Sequence, residues 1–160
     1  MSAVKQAAIG TALYVGDAGS PETFFLVASA KDFAGPKMKA DTIDVTTQDS
    51  ASGYKEFISS LKDGQEVTFP IEFDPNFNGH NETATVAGVN AGGLKYLFEQ
   101  RLKRNMAMVY PTSPFTKMSF VGVVTGFEPD NKVMGSMLAN VTIKVSGKPT
   151  LGLGSVNGIT

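Results

Sequence analysis

The chain has 160 residues, 42% of them apolar and 18% charged, with a net charge of −1. This length implies one domain with enough apolar matter for a core, and the near-neutral balance excludes the clustered Lys and Arg surplus on which phosphate affinity depends. The absence of cysteine excludes a disulfide framework and thiolate metal ligation, and no apolar run approaches the ~18 residues of a membrane-spanning helix.

Residues 1–10 lack the long apolar stretch of a secretory leader, so synthesis and retention in a cytoplasm are expected, along with no membrane contact. The low charge fraction fits either a sparse surface or one hidden against copies of itself. Seventeen glycines punctuate apolar-rich segments, which is the pattern of a β protein.

Residues 11–15 form a short strand ending at Gly16, and Asp17-Ala18-Gly19-Ser20-Pro21 reads as a turn. Residues 23–29 are apolar on both faces and suit a central strand. A polar loop rich in Asp, Thr and Ser then runs from Asp41 to Gly53. It is long for a compact domain, which marks function or disorder. Asp41, Asp44 and Asp49 lie close in sequence, but the central Gly and terminal Glu of an EF-hand are missing, so they read as solvated acids. Tyr54, Phe57, Ile58 and Leu61 follow at helical spacing. Weak helix formers precede them and Lys62-Asp63-Gly64 ends the pattern within two turns, so a short helix and a loop closing on a neighbouring subunit both remain open.

The cleanest signal is residues 66–74. Val67, Phe69, Ile71 and Phe73 alternate with Glu66, Thr68, Pro70, Glu72 and Asp74, which puts apolar side chains on one strand face and acids on the other. Pro70 cannot donate a ladder hydrogen bond, so an open edge or a bulge is expected there. Glu66 and Glu72 do not read as a glycosidase pair, since no Trp platform accompanies them. His80 is the single histidine and sits in Asn78-Gly79-His80-Asn81-Glu82, which reads as a surface loop rather than part of a catalytic triad. Zinc ligation has no further His or Cys to draw on.

Asn90 is the expected N-cap of one helix, with Leu94, Leu97, Phe98 and Leu102 at helical spacing. Arg101, Lys103 and Arg104 crowd its end, where cations complement the dipole. With Lys95 they make the only basic cluster, and without a stacking platform it reads as a solvated face. Residues 106–110, 117–127 and 133–145 are further strands, with Glu128-Pro129-Asp130-Asn131 as the hairpin turn between the last two. Ala139, Val141, Ile143 and Val145 alternate with Asn140, Thr142, Lys144 and Ser146. Residues 147–160, with four glycines and one proline, read as an arm. No phosphate-cradling glycine motif occurs, and the sequons at Asn81 and Asn140 lack a leader to make them relevant.

The polar stretch from Asp41, the segments Tyr54-Lys55-Glu56-Phe57-Ile58 and Leu61-Lys62-Asp63-Gly64, the alternating strand, a single helix and the closing strand from Leu138 to Pro149 follow one another in an order that resembles the phage tail tube proteins. The family includes the tube-forming domain of the lambda tail tube protein, which carries a further immunoglobulin-like domain. This chain stops near Thr160, so such decoration is not expected. The resemblance implies a mainly β fold, a β-sandwich or half-open barrel with one flanking helix. It implies a domain over residues 11–149, with arms at 1–10 and 150–160 as extra interface candidates. It also implies subunits joined edge to edge in hexameric rings, stacked into a hollow tube that holds the tape measure protein and later passes DNA without specific binding. Tail terminator and tail-tip proteins would be further partners. The expected location is the virion tail, assembled in the host cytoplasm, and neither a cofactor, a metal nor enzymatic activity is expected.

A basic wall would hold duplex DNA, so the acidic face Glu66, Thr68, Glu72 and Asp74 is the candidate lumen surface, with Asn140, Thr142 and Lys144 second. Asp41, Asp44, Asp49, Tyr54 and Phe57 form the candidate ring-stacking loop, with its aromatic end anchored either in a neighbour or against its own domain. The rival readings are a tail terminator, a type VI secretion tube-like ring protein, a monomeric carbohydrate-binding β-sandwich with an aromatic platform and, last, an enzyme.

Overall fold

The computed structural model describes residues 10–29, 32–86, 88, 90–112 and 114–154. Strand β1 (Ala12–Gly16) pairs with β2 (Phe24–Ser29) on one side. The hairpin β3 (Lys39–Asp44) and β4 (Phe57–Asp63) stands apart as its own two-stranded sheet. After β5 (Glu66–Glu72) comes the helix α1 (Leu94–Gln100), then β6 (Lys103–Tyr110), β7 (Thr116–Asn131) and β8 (Met137–Leu153). The main sheet has six strands in the order β2-β1-β6-β7-β8-β5, all antiparallel.

Period two in the sequence becomes two faces in the sheet. On one face Leu13, Met106, Phe120, Val141 and Phe69 are buried, and Leu94 and Leu97 of α1 seal them from water. The sheet curls around this core. Ala34, just beyond β2, bridges to Thr68 of β5 through reciprocal backbone hydrogen bonds of 2.9 and 3.0 Å. The two sheet ends thus approach without closing, which is the half-open β architecture expected, with one α-helix among the described residues.

Pro70 pairs with Asn140 in the outermost strand of the main sheet. Thr68, two residues earlier, directs its backbone groups outward to Ala34, so the Pro70 nitrogen points to the same open side and no β8 bond is lost. The turn at residues 17–21 is also as read: the Asp17 carboxylate accepts from the N–H groups of Gly19 at 2.8 Å and Thr23 at 3.0 Å.

Several expectations are corrected. The helix starts at Leu94 with Gly93 as its cap, not at Asn90. Its first free N–H groups are satisfied by loop carbonyls rather than by an Asn side chain: Leu94 donates to Gly79 at 2.8 Å, Lys95 to His80 at 3.4 Å and Tyr96 to Asn81 at 3.2 Å. Lys103 and Arg104 belong to β6, and Lys95 is paired with Glu82 and Glu99, so the basic residues do not share a helix face. Residues 57–61 are neither helix nor loop but strand β4. Residues 128–131 continue β7, and the turn falls at 132–136. Pro129 is tolerated because β6 pairs with β7 only as far as Val123, leaving the rest of β7 at an edge. Residues 147–153, expected to be an arm, extend β8; β7 supplies a partner as far out as Thr116 for Leu153. The arms before Gly10 and after Gly154 lie outside the described residues.

Candidate assembly surfaces

Residues of the expected stacking loop all lie on the β3–β4 hairpin. Asp41 of β3 faces a bulge at Ser60 and Leu61 of β4, Asp44 ends β3, Asp49 lies in the connecting turn, and Phe57 opens β4 three residues after Tyr54. Ile43 and Ile58 are opposite one another, as are Asp44 and Phe57. The tip is tied by side chains. Val45 donates to the Glu56 carbonyl at 2.9 Å, Glu56 donates to the Thr46 hydroxyl at 2.9 Å, and that hydroxyl donates to the Asp44 carboxylate. The Thr46 side-chain and backbone bonds hold the Asp44 carboxyl below its ordinary value. This carboxylate therefore serves the turn.

Tyr54 is 76% exposed, Phe57 55% and Leu61 82%. The aromatic end of the segment is not packed on its own domain. A lone two-stranded hairpin is marginal in water, and this one leaves Ile43, Tyr54, Phe57, Ile58 and Leu61 exposed, with Ile43 and Ile58 only half covered where they face one another.

The alternating segment divides as expected, with Val67, Phe69 and Ile71 in the core and Glu66, Thr68 and Glu72 on the outer face. Asp74 lies past the strand end, where its backbone N–H donates to His80 Nδ1 at 3.2 Å and its carboxylate accepts from Asn76 at 2.9 Å. Register places Glu66 beside Lys144, Thr68 beside Thr142, Pro70 beside Asn140 and Glu72 beside Leu138. The two polar stretches read separately from the sequence are therefore one surface. Glu128 and Asp130 join it, opposite Asn140 and Leu138. Sequence reasoning missed both because Pro129 suggested a turn; the alternation of Phe127 and Pro129 with Glu128 and Asp130 was the available signal. Lys144 adds little free positive charge, since its ammonium contacts both oxygens of Asp63 at 2.9 and 3.2 Å. That contact, more than the backbone bond from Gln65, holds the Asp63 carboxyl below its ordinary value.

His80 is not a surface residue: it is 7% exposed, between Phe73 and Phe77. Burial pushes its imidazole below the ordinary value, against opposing contributions from Val27 and Asp74. Its acceptor role toward Asp74 requires an unprotonated Nδ1, so the neutral ring links the loop to β2, while the His80 backbone carbonyl accepts from Lys95 at the start of the helix.

No protein-family model matches the chain, and no curated protein sequence does. Solved structures do. The chain is similar to a protein of the tail of an empty gene transfer agent particle, determined with C6 symmetry, with a TM-score of 0.67 and 12% identity over 92% of this chain and 99% of that one. A chain in the virion of a native gene transfer agent particle gives 0.65 at 12% identity, with the same 92% and 99% coverage. A chain from the PVC sheath/tube terminator of an extracellular contractile injection system, in its extended state, gives 0.63 at 8% identity over 95% of this chain and 99% of that one. At such identities the likeness is one of fold. It spans nearly the whole of each chain, and the fold is that of structural proteins from phage-tail-like particles.

Proposed function

We propose that this chain is a structural component of a phage-tail-like particle, a tube subunit that polymerises as stacked hexameric rings. The observation that carries the reading is the β3–β4 hairpin, which exposes several large apolar side chains on an element too small to stand alone. Similarity over whole chains to tail proteins, one of them in a C6-symmetric tail, supports the same role. Asp41, Asp44, Asp49, Tyr54 and Phe57 would lie at the ring-to-ring contact, with the two aromatics as anchors. Residues 11–149 would be the tube-forming unit, and the flanking arms would add contacts. The partners would be further copies of the chain, a tape measure protein, and terminator and tail-tip proteins, in a virion tail assembled in a host cytoplasm.

The outer face with Glu66, Thr68, Glu72, Glu128 and Asp130 would line the lumen. Repeated around a ring, these carboxylates repel a DNA backbone and let it pass. A terminator role is the second reading, favoured by the likeness to a chain in the structure of a sheath/tube terminator. A terminator would form single rings, whereas a tube subunit would form stacks. The double variant Tyr54→Ala/Phe57→Ala tests the hairpin: a folded protein that no longer sediments as assemblies is expected, and normal assemblies would refute the anchoring role.

A further inference from the structure

We propose that the tip joining β7 to β8 plugs into the cleft at the base of the β3–β4 hairpin of a second copy, so that copies join head to tail. This rests on the reading that the chain stacks with itself. Turn tips are normally polar, yet Val133 and Met134 are 101% and 98% exposed, with Met137 beside them at 48%. At the other end of β8 lies an open cleft of about 650 Å³, lined by Met38, Ala40 and Pro149 together with Lys39, Lys62 and Lys148. Its volume is within the roughly 300–1,000 Å³ of cavities that accept compact ligands.

Charge selects the pairing. Asp63, the acid in the cleft, is occupied by Lys144, which leaves the lining lysines to set a positive sign. Around the tip the sign is negative. Glu128 and Asp130 lead into it on β7, and the bond from Phe73 to Met137 at 2.9 Å brings Asp74 alongside. The one tip lysine, Lys132, lies 3.6 Å from Asp130. Apolar contact with an acidic collar thus matches an apolar floor with a basic rim.

Position sets the symmetry. At a rise of roughly 3.3 Å per residue, Met137 and Lys148 are on the order of 35 Å apart along β8. Two different patches at opposite ends, engaged one at a time by copies pointing the same way, give a heterologous contact, which propagates; a reciprocal two-fold pairing would satisfy both patches at once and stop at a dimer, so a double variant that cross-links no further than a dimer would overturn the proposal.

The chain has no cysteine, so engineered thiols report cleanly. Carried together, Met134→Cys and Ala40→Cys should give a ladder of covalent multimers on mild oxidation of the assembled protein. Mixing the two single variants should give only a cross-linked dimer, and neither alone should cross-link. Lys62→Glu/Lys148→Glu should weaken association at least tenfold, and adding Glu128→Lys/Asp130→Lys in the same chain should restore it. Dimers from Met134→Cys alone would mean tip-to-tip contact and overturn the proposal. Assemblies without the ladder would overturn it while leaving stacking intact. Wild-type protein that never associates would overturn the stacking reading and this contact with it.

Discussion

At the residue scale, buried polar chemistry sits where the loop before α1 meets the helix. Gly93 is extended at φ −71, so its need is space rather than conformation: a Cβ there would lie 2.3 Å from the Asn81 carbonyl oxygen and 2.5 Å from that of Asn78. Gly93→Ala must push this loop away and disturb the carbonyls that cap the helix. We expect a loss of about 2 kcal/mol or more, read by chemical denaturation. His80 gives a pH signature. Its folded pKa is lowered, so as pH falls through about 6.5 the unfolded chain takes up a proton first. Stability from the neutral ring is full above that value and drains away as pH drops toward the folded pKa. The melting temperature should decline between pH 7 and 5, and His80→Gln should flatten that decline while costing about 1–3 kcal/mol at pH 7 for the altered buried bonds. The depressed carboxyls Asp17, Asp44 and Asp63 act in a separate, more acidic window: their contribution is present above the ordinary carboxyl range and is lost as pH falls through it.

At the scale of elements, the hairpin is expected to matter for assembly and not for folding. Tyr54 and Phe57 are exposed, so Tyr54→Ala/Phe57→Ala should shift monomer stability by less than about 0.5 kcal/mol, measured by thermal melting, while abolishing polymerisation. Legibility of the elements in the sequence followed the strength of their pattern. Val67, Phe69 and Ile71 alternate without interruption and face the core as read. Residues 54–61 misled because Tyr54, Phe57, Ile58 and Leu61 match a helical period by chance. Their strand forms through Ile43 opposite Ile58, a pairing with a segment whose own acids suggested a loop. His80 was misplaced because its neighbours Asn78, Gly79 and Asn81 are turn residues; burial comes from Phe73 and Phe77, whose rings close over it only in the fold. The length of β8 was hidden by Gly147 and Pro149, which β7 overrides by supplying a partner strand.

At the scale of the whole molecule, the face with Glu66, Glu72, Glu128 and Asp130 is acidic, and the β3–β4 hairpin exposes apolar side chains. The acidic face predicts that DNA does not adhere. Glu66→Lys/Glu72→Lys should leave assembly intact but make the assemblies retain duplex DNA at low salt, with retention falling steeply as salt rises in a co-sedimentation assay. Indifference of DNA to this reversal would remove the face from the lumen. Placement of that face was not legible in the sequence, because alternation separates two faces without saying which one a neighbour covers. The hairpin, in contrast, was visible as an unusual polar stretch before its exposure was known. Negative-stain electron microscopy of the purified, concentrated protein decides whether the chain builds a tube. Stacked rings and hollow tubes are expected; small particles that remain monodisperse at every concentration would refute the tube subunit.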